Sequence, residues 1–482
     1  MFQPNVLRRT LVSFGRVTGA LRGLAALHFA HPGSWTMAVL LGLGLCMSLA
    51  VASCQLPGGT RGVVGPSEPM VDHIPPLSHG FWLGQEPNIR VRIVEPTAEV
   101  VIAGPRLVMA RDEGGGVRMY RTPVLARVAG GGLELVEPGG VATKVRGVLE
   151  LSSGDPKPVG FASSGTREWF RDAPTIALGG AAYAGVVQLI ATAGGVQAIN
   201  EVELERYVAA VASRELYPSW DAAAFEAQAV AARSYAIQSM GLSTRLERGW
   251  HVESGTIDQV YPGHTTHERS IAAAMATRGK ILVYGGRVLR AYYSSTSGGR
   301  SGSAADTWPT SDGFEYNRAA PLQAHKVVHA SDASRFHRWQ VVRSASEVTG
   351  RLRAWGQSNG HSLRSARDVT AIEVVRTNRV GRPAAYRVGE SNGVSHVLSA
   401  EQLRIALNTS VPGLPDVTGE QRVRSGDFEV TGTGPRLVIR GRGFGHGVGM
   451  CQFSAQALAQ RGWTAEAILM NFYPGARIER AY

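Results

Sequence analysis

Between Leu204 and Met240 apolar residues return every three or four positions, which predicts two amphipathic helices joined at a Tyr217-Pro218 corner. Leu204, Val208 and Val211 make the apolar stripe of the first helix. The next position on that stripe is Glu215, in the last turn before a proline. A helix C-terminus carries partial negative charge, and burial disfavours ionisation. Both raise a carboxyl pKa, which suits a proton donor at neutral pH. The competing reading makes Glu215 a structural carboxylate in an ion pair with Arg214 or Arg233. Ser219 is the expected N-cap of the second helix, Asp221 suits the positive end of its dipole, and Gly241 is the expected terminator. Its many alanines allow another backbone to approach closely.

Upstream of this pair the period becomes two. From Ile89, segments such as IRVRIVEP, RLVMARD and LELVEPG read as short strands separated by glycine turns, and 88–200 is expected to be a β-rich region. AYAGVVQLIATAGGVQAIN within it reads as a hairpin. A helix is expected around His267–Thr277, then strands and a polar loop, Ser294-Ser295-Thr296-Ser297-Gly298-Gly299. Residues 311–440 mix strands and helices, with a hairpin turning at Gly381-Arg382 and a short helix at SAEQLRIAL. After them PRLVIRGRGFGHGVGMCQF reads as a strand, a glycine-rich turn carrying His446, and a helix starting near Cys451. The fold class is therefore α+β, a β-rich region followed by a mixed helical and β core over 201–482, with 311–440 a less characteristic insertion.

The N-terminus reads as an export signal. Residues 1–34 contain Arg8, Arg9, Arg16 and Arg22 and no acidic residue, and an apolar run ending in small residues follows. Its end, Leu49-Ala50-Val51-Ala52-Ser53-Cys54, resembles a bacterial lipobox, which would make Cys54 a lipidated first mature residue of an extracytoplasmic, membrane-anchored protein. An ordinary cleaved signal or a single anchoring helix are the alternatives. Residues 55–87, rich in Pro and Gly, read as a tether. With only three cysteines, Cys46, Cys54 and Cys451, the chain has no disulfide framework or zinc-cluster spacing. The net charge of +12 favours an anionic partner, and there is no nucleic-acid motif.

Three ordered segments carry a family resemblance: Leu204–Met240; DQVYPG with TRGKILVYGGRVLRAYYSSTSGG; and GRGFGHGVGMCQFSAQALAQRGWTAEAILMNFYPGARI. Together they resemble the SpoIID/LytB family, over about residues 180–482. The resemblance implies a core of SpoIID type and a peptidoglycan lytic transglycosylase, which cleaves the MurNAc–GlcNAc bond and leaves a 1,6-anhydro-MurNAc end. It places the catalytic glutamate at Glu215, in Ser213-Arg214-Glu215-Leu216-Tyr217-Pro218, where Arg214 and Tyr217 depart from the usual pattern. A hydrolase employs two carboxylates, whereas a transglycosylase lets the sugar O6 attack, so that one carboxyl serves as acid and then base. The resemblance also implies a non-catalytic alternative, a cell-wall binder that enhances an amidase. Partners implied are peptidoglycan glycan strands and a cell-wall amidase. No cofactor is implied.

Other groups have two readings each. His446 either lines the saccharide cleft, bonding substrate or Glu215, or caps local backbone in a tight turn. Ser294, Ser295, Thr296 and Ser297 either give donors to sugar or form a polar turn. Gln228, Arg233 and Tyr235 match the family's Ala-Gln-Ala-Val-Ala-Ala-Arg-Thr/Ser-Tyr segment. They are candidate substrate contacts, with Arg233 either facing a lactyl carboxylate or pinning structure. Cys451 with His446 would be a thiol hydrolase's nucleophile and base, although the family usually carries serine at that position. Some members bind zinc. Here Ile257-Asp258 stand where His-Cys would fall, and His251, His264 and His267 read as loop histidines, so no metal is expected.

Overall fold

The computed structural model describes residues 85–154, 165–246, 248–432 and 435–482. The export signal, Cys54 and nearly all of the tether lie outside the described residues. Strands and helices alternate as an α+β protein. The first strands form two sheets, antiparallel except for one edge pairing. One has seven strands in the order Val252–Glu253, Asn88–Thr97, Gly195–Glu203, Val186–Thr192, Leu149–Ser153, Leu107–Arg111, Val117–Arg121. The other has six, in the order Ala181–Ala184, Thr175–Leu178, Glu99–Ala103, Val124–Ala129, Gly132–Val136, Ala142–Val145. Side chains alternate across each strand, so Ile89, Val91, Val100, Ile102, Leu149, Leu151, Val187 and Leu189 point into one buried core. Gly130-Gly131 closes one two-residue hairpin with φ of 60° and 80°. Such a turn needs positive φ at both positions, which glycine alone adopts without strain. The hairpin expected in AYAGVVQLIATAGGVQAIN is present, with Thr192 paired to Gly195.

Nine helices occur among the described residues: α1 Arg167–Arg171, α2 Leu204–Glu215, α3 Ala222–Arg245, α4 Glu268–Ala276, α5 Ala304–Thr307, α6 Ala345–Ser358, α7 Ala400–Leu407, α8 Gln452–Ala459 and α9 Ala465–Phe472. None is long and apolar enough to cross a membrane. The core of the β sheets runs without interruption into α2, α3 and α4 through Leu204, Tyr207, Val208, Phe225 and Ile271. Val252–Glu253, which follows α3, adds a parallel strand beside Asn88–Thr97. The β-rich and helical regions therefore share one core, and the strand at their junction continues to Glu203.

Two local expectations change. Asp221, not Ser219, is the N-cap of α3, and its carboxylate receives the Gln456 amide instead of bonding a helix N–H. The helix also runs through Gly241 to Arg245. α3 is buried on nearly every face, between α2, α4, α8, α9 and the strand Lys280–Tyr284. With neighbours on all sides, packing holds a glycine in the helix despite a propensity cost of about 1 kcal/mol.

A second core, around Leu282, Leu289, Tyr292, Met450, Leu469 and Phe472, joins α3 to α8 and α9. The strand Arg477–Arg480 returns to pair with Lys280–Tyr284. The insertion has its own core, around Leu352, Tyr386, Leu403 and Ile439, and two three-stranded sheets. Its hairpin turns where Asn378 N–H meets the Arg382 carbonyl, and α7 begins with a capping box formed by Ser399 and Gln402.

Candidate functional site

α2 is buried on all sides from Leu204 to Ala212 and emerges only in its last turn. There Leu216 swings to an extended conformation, and Glu215 is left half-buried at the exit. Two donors hold the carboxylate. The Gln452 amide reaches Oε2 at 3.1 Å, and the Val260 backbone N–H lies 3.4 Å from Oε1. Burial raises the Glu215 pKa above the ordinary carboxylate value, and these two hydrogen bonds oppose that rise only in part. Among the described residues no ion pair is made by Glu215.

The supporting shell is built from amides and phenols. Gln452 also reaches Gln228 Oε1 at 3.3 Å, and Gln228, wholly buried, has an amide nitrogen with no partner among the described residues. Tyr207 donates to Gln259 at 3.0 Å, and Gln259 donates to the Tyr293 hydroxyl at 2.9 Å. The phenols of Tyr207 and Tyr293 are pushed well above their ordinary pKa by burial, with the Glu215 charge adding to the rise. Both therefore stay protonated as neutral walls of the site. Gln452, Gln259, Tyr207 and Tyr293 did not stand out in the sequence. The available signal was that polar residues recur inside the family-like segments at positions that packing would otherwise make apolar.

The buried carboxylate of α2 is a different residue. Glu205 is 1% exposed and receives Arg233 Nε at 2.9 Å, Gly279 N–H at 3.0 Å and the Tyr482 hydroxyl at 2.5 Å. Arg233, wholly buried, spends its remaining donors on the Lys280 carbonyl and Thr277. It offers no face to a saccharide and does not touch Glu215, so the pinning reading is the one its surroundings fit. Tyr235 is likewise buried, donating to Asp258 at 2.6 Å and receiving Arg290 at 2.6 Å. Neither residue is placed as a substrate contact.

A short parallel pairing of Tyr293–Ser294 with Met450–Cys451 brings the serine-rich loop against the glycine-rich turn. Most of the loop's groups are used within it. Ser294 accepts from Gly447 N–H at 3.2 Å, Thr296 from Gly298 N–H at 3.3 Å, and Ser297 meets His329 at 3.3 Å. Ser295 is half-buried, and its carbonyl receives Phe453 N–H at 3.1 Å. Cys451, 1% exposed, caps α8. Its sulfur accepts Ser297 N–H at 3.4 Å, and no hydrogen bond joins it to His446.

His446 Nδ1 accepts the Val448 N–H at 3.0 Å, and the ring packs edge-on against Trp308 and Tyr292. Burial pushes its pKa down to about 4, so the ring is neutral at pH 7. It lines a cleft of about 300 Å³ with Asp306, Arg382 and Glu401, and Glu215 is not among the lining residues. The local-cap reading of His446 matches this geometry, and no hydrogen bond to Glu215 is made. Elsewhere His251 accepts Arg90 N–H, His264 meets the Arg171 carbonyl, and His267 caps α4. These three are structural histidines bonded to backbone.

The site is thus a single raised-pKa carboxyl at a helix exit, held by amide donors and walled by neutral phenols. Residues 192–284, which contain it, match the SpoIID family, described as stage II sporulation protein; residues 315–449 match a domain of unknown function, DUF8618. The chain carries a SpoIID-family domain. It is 27% identical over 303 residues to an uncharacterized protein of Brachyspira hyodysenteriae, covering 62% of this chain and 73% of that one. It is 25% identical over 304 residues to stage II sporulation protein D of Bacillus subtilis, covering 59% of this chain and 77% of that one. A third relative, the amidase enhancer of Bacillus subtilis, is 27% identical over 291 residues, which are 56% of this chain and 39% of the relative.

Proposed function

We propose that this chain is an exported peptidoglycan lytic transglycosylase in which Glu215 is the general acid and base. The observation that carries the reading is the state of that carboxyl: half-buried, raised in pKa by burial, and free of any ion pair among the described residues. The SpoIID match over 192–284 supports a cell-wall role. Protonated Glu215 gives its proton to the glycosidic oxygen as the bond to MurNAc C1 breaks. The resulting carboxylate takes the proton of the C6 hydroxyl, and O6 closes on C1 to give the 1,6-anhydro ring. The proton is returned and no water is consumed. One carboxyl suffices, whereas hydrolysis employs two. Gln452 steadies the carboxylate form and fixes its direction. Cys54 at the end of the export segment is the proposed lipid attachment point.

The test incubates the protein with intact and peptide-stripped glycan strands and looks for anhydro-MurNAc ends by mass spectrometry. Product from the parent, and at most about a hundredth as much in the same time from Glu215→Gln, is expected. No product, or equal product from both, defeats the reading. A second reading, a non-catalytic amidase enhancer, is favoured by the relative of that name. It predicts no anhydro product and a faster amidase on the same glycan.

A further inference from the structure

Only two aromatic side chains among the described residues are exposed, and one of them stands two residues after Glu215. Tyr217 is 53% exposed, yet its ring is not loose. It packs on Trp220 with centroids 5.4 Å apart and on Phe453 at 6.0 Å, and these two rings meet edge to face at 5.1 Å. Trp220 is 8% exposed, so the support beneath Tyr217 is core. The Arg269 guanidinium donates to the Trp220 carbonyl and ties the corner to α4. Phe453 follows Gln452 directly, so one turn of α8 aims the Glu215 carboxyl and braces the Tyr217 ring.

Leaving an aromatic surface in water costs stability, and an isolated tyrosine on a surface would be free to turn. Here two other rings, Trp220 and Phe453, hold it in one place beside a candidate sugar-cleaving acid. The π face of a phenol is negative and the C–H bonds on a pyranose face are positive at hydrogen, so the two stack favourably. We propose that Tyr217 is the platform on which a pyranose of the glycan strand stacks, in the subsite adjoining the bond that Glu215 acts on. The proposal rests on the reading of Glu215 as the acid for a saccharide substrate. It also gives a role to the tyrosine that departs from the family pattern in the Glu215 segment.

Titration calorimetry with peptide-stripped peptidoglycan glycan strands tests it without turnover. The full chain carrying Glu215→Gln is compared with the same chain bearing Tyr217→Ala or Tyr217→Trp in addition. Alanine is expected to weaken Kd by about tenfold, and tryptophan to hold or tighten it, with unchanged thermal melting throughout. Equal Kd for the alanine variant overturns the platform. Equal losses for alanine and tryptophan overturn it too, as does the absence of binding by every variant. The binding isotherm and the product assay separate the two ideas. Anhydro ends formed by Glu215→Gln as fast as by the parent defeat the acid while leaving the isotherm to decide the platform.

Discussion

Arg233 closes on Glu205, Nη2 to Oε2 at 2.6 Å, and in doing so leaves Glu215 without a cation. Both partners are buried, and Gly279 N–H and Tyr482 complete the cage around Glu205. The division of labour within α2 follows: one carboxylate is structural and paired with a guanidinium, the other stands at the helix exit with a raised pKa.

Breaking that pair strands a buried charge. Arg233→Ala or Glu205→Ala is expected to lower unfolding free energy by about 3–5 kcal/mol in urea titrations. Replacing both with well-packed apolar residues is expected to cost much less. A single variant as stable as the parent would contradict the buried ion pair.

Glu215 must be protonated to act as acid, and burial raises its pKa. The rate is therefore expected to fall as pH rises through that raised value. Gln452 stabilises the carboxylate, so Gln452→Leu raises the pKa further and moves the alkaline limb to higher pH. Glu215→Gln is expected to lower kcat by about 10²–10⁴ with the fold retained. A limb that stays in place in Gln452→Leu would show that the amide does not tune the acid.

His446 has its folded pKa pushed down to about 4, below the unfolded value of about 6.5. The unfolded chain then binds the proton more readily between these values, so this group's stability contribution is full above about pH 6.5 and falls as pH drops toward 4. NMR of the imidazole is expected to show a neutral ring with Nδ1 unprotonated down to about pH 5. A ring titrating near 6.5 would show that it is not enclosed as described.

Cys451 lies at 1% exposure with its sulfur between Ser297 N–H and the Ser295 carbonyl. Cys451→Ser is expected to keep the anhydro product, and the native thiol to resist an aromatic disulfide reagent until the protein unfolds. Loss of activity in Cys451→Ser, with Glu215→Gln still active, would favour the thiol hydrolase.

Much of this architecture was legible locally. Period-two patterning gave the β-rich region 88–200 and its hairpin, which closes at Thr192, and three-to-four spacing gave α2 and α3. The short helix expected at SAEQLRIAL is α7. The apolar stripe does not mark a single buried face, because nine successive residues of α2 are buried all round. Glu205, off the stripe, is the carboxylate that entered the core. Periodicity separates one buried face from one wet face, and it loses that power for a helix with neighbours all round.

The sequence by itself determined the element types, the α+β class and the segment that carries Glu215, because backbone propensity and side-chain period act over a few residues. Tertiary structure decided which groups meet. It joined Gln452 to Glu215 across 237 positions and took Arg233 away to Glu205. It turned the serine loop and His446 toward their own backbone. Those choices come from the demand that each buried polar group find a partner, which is settled only when the whole chain has packed.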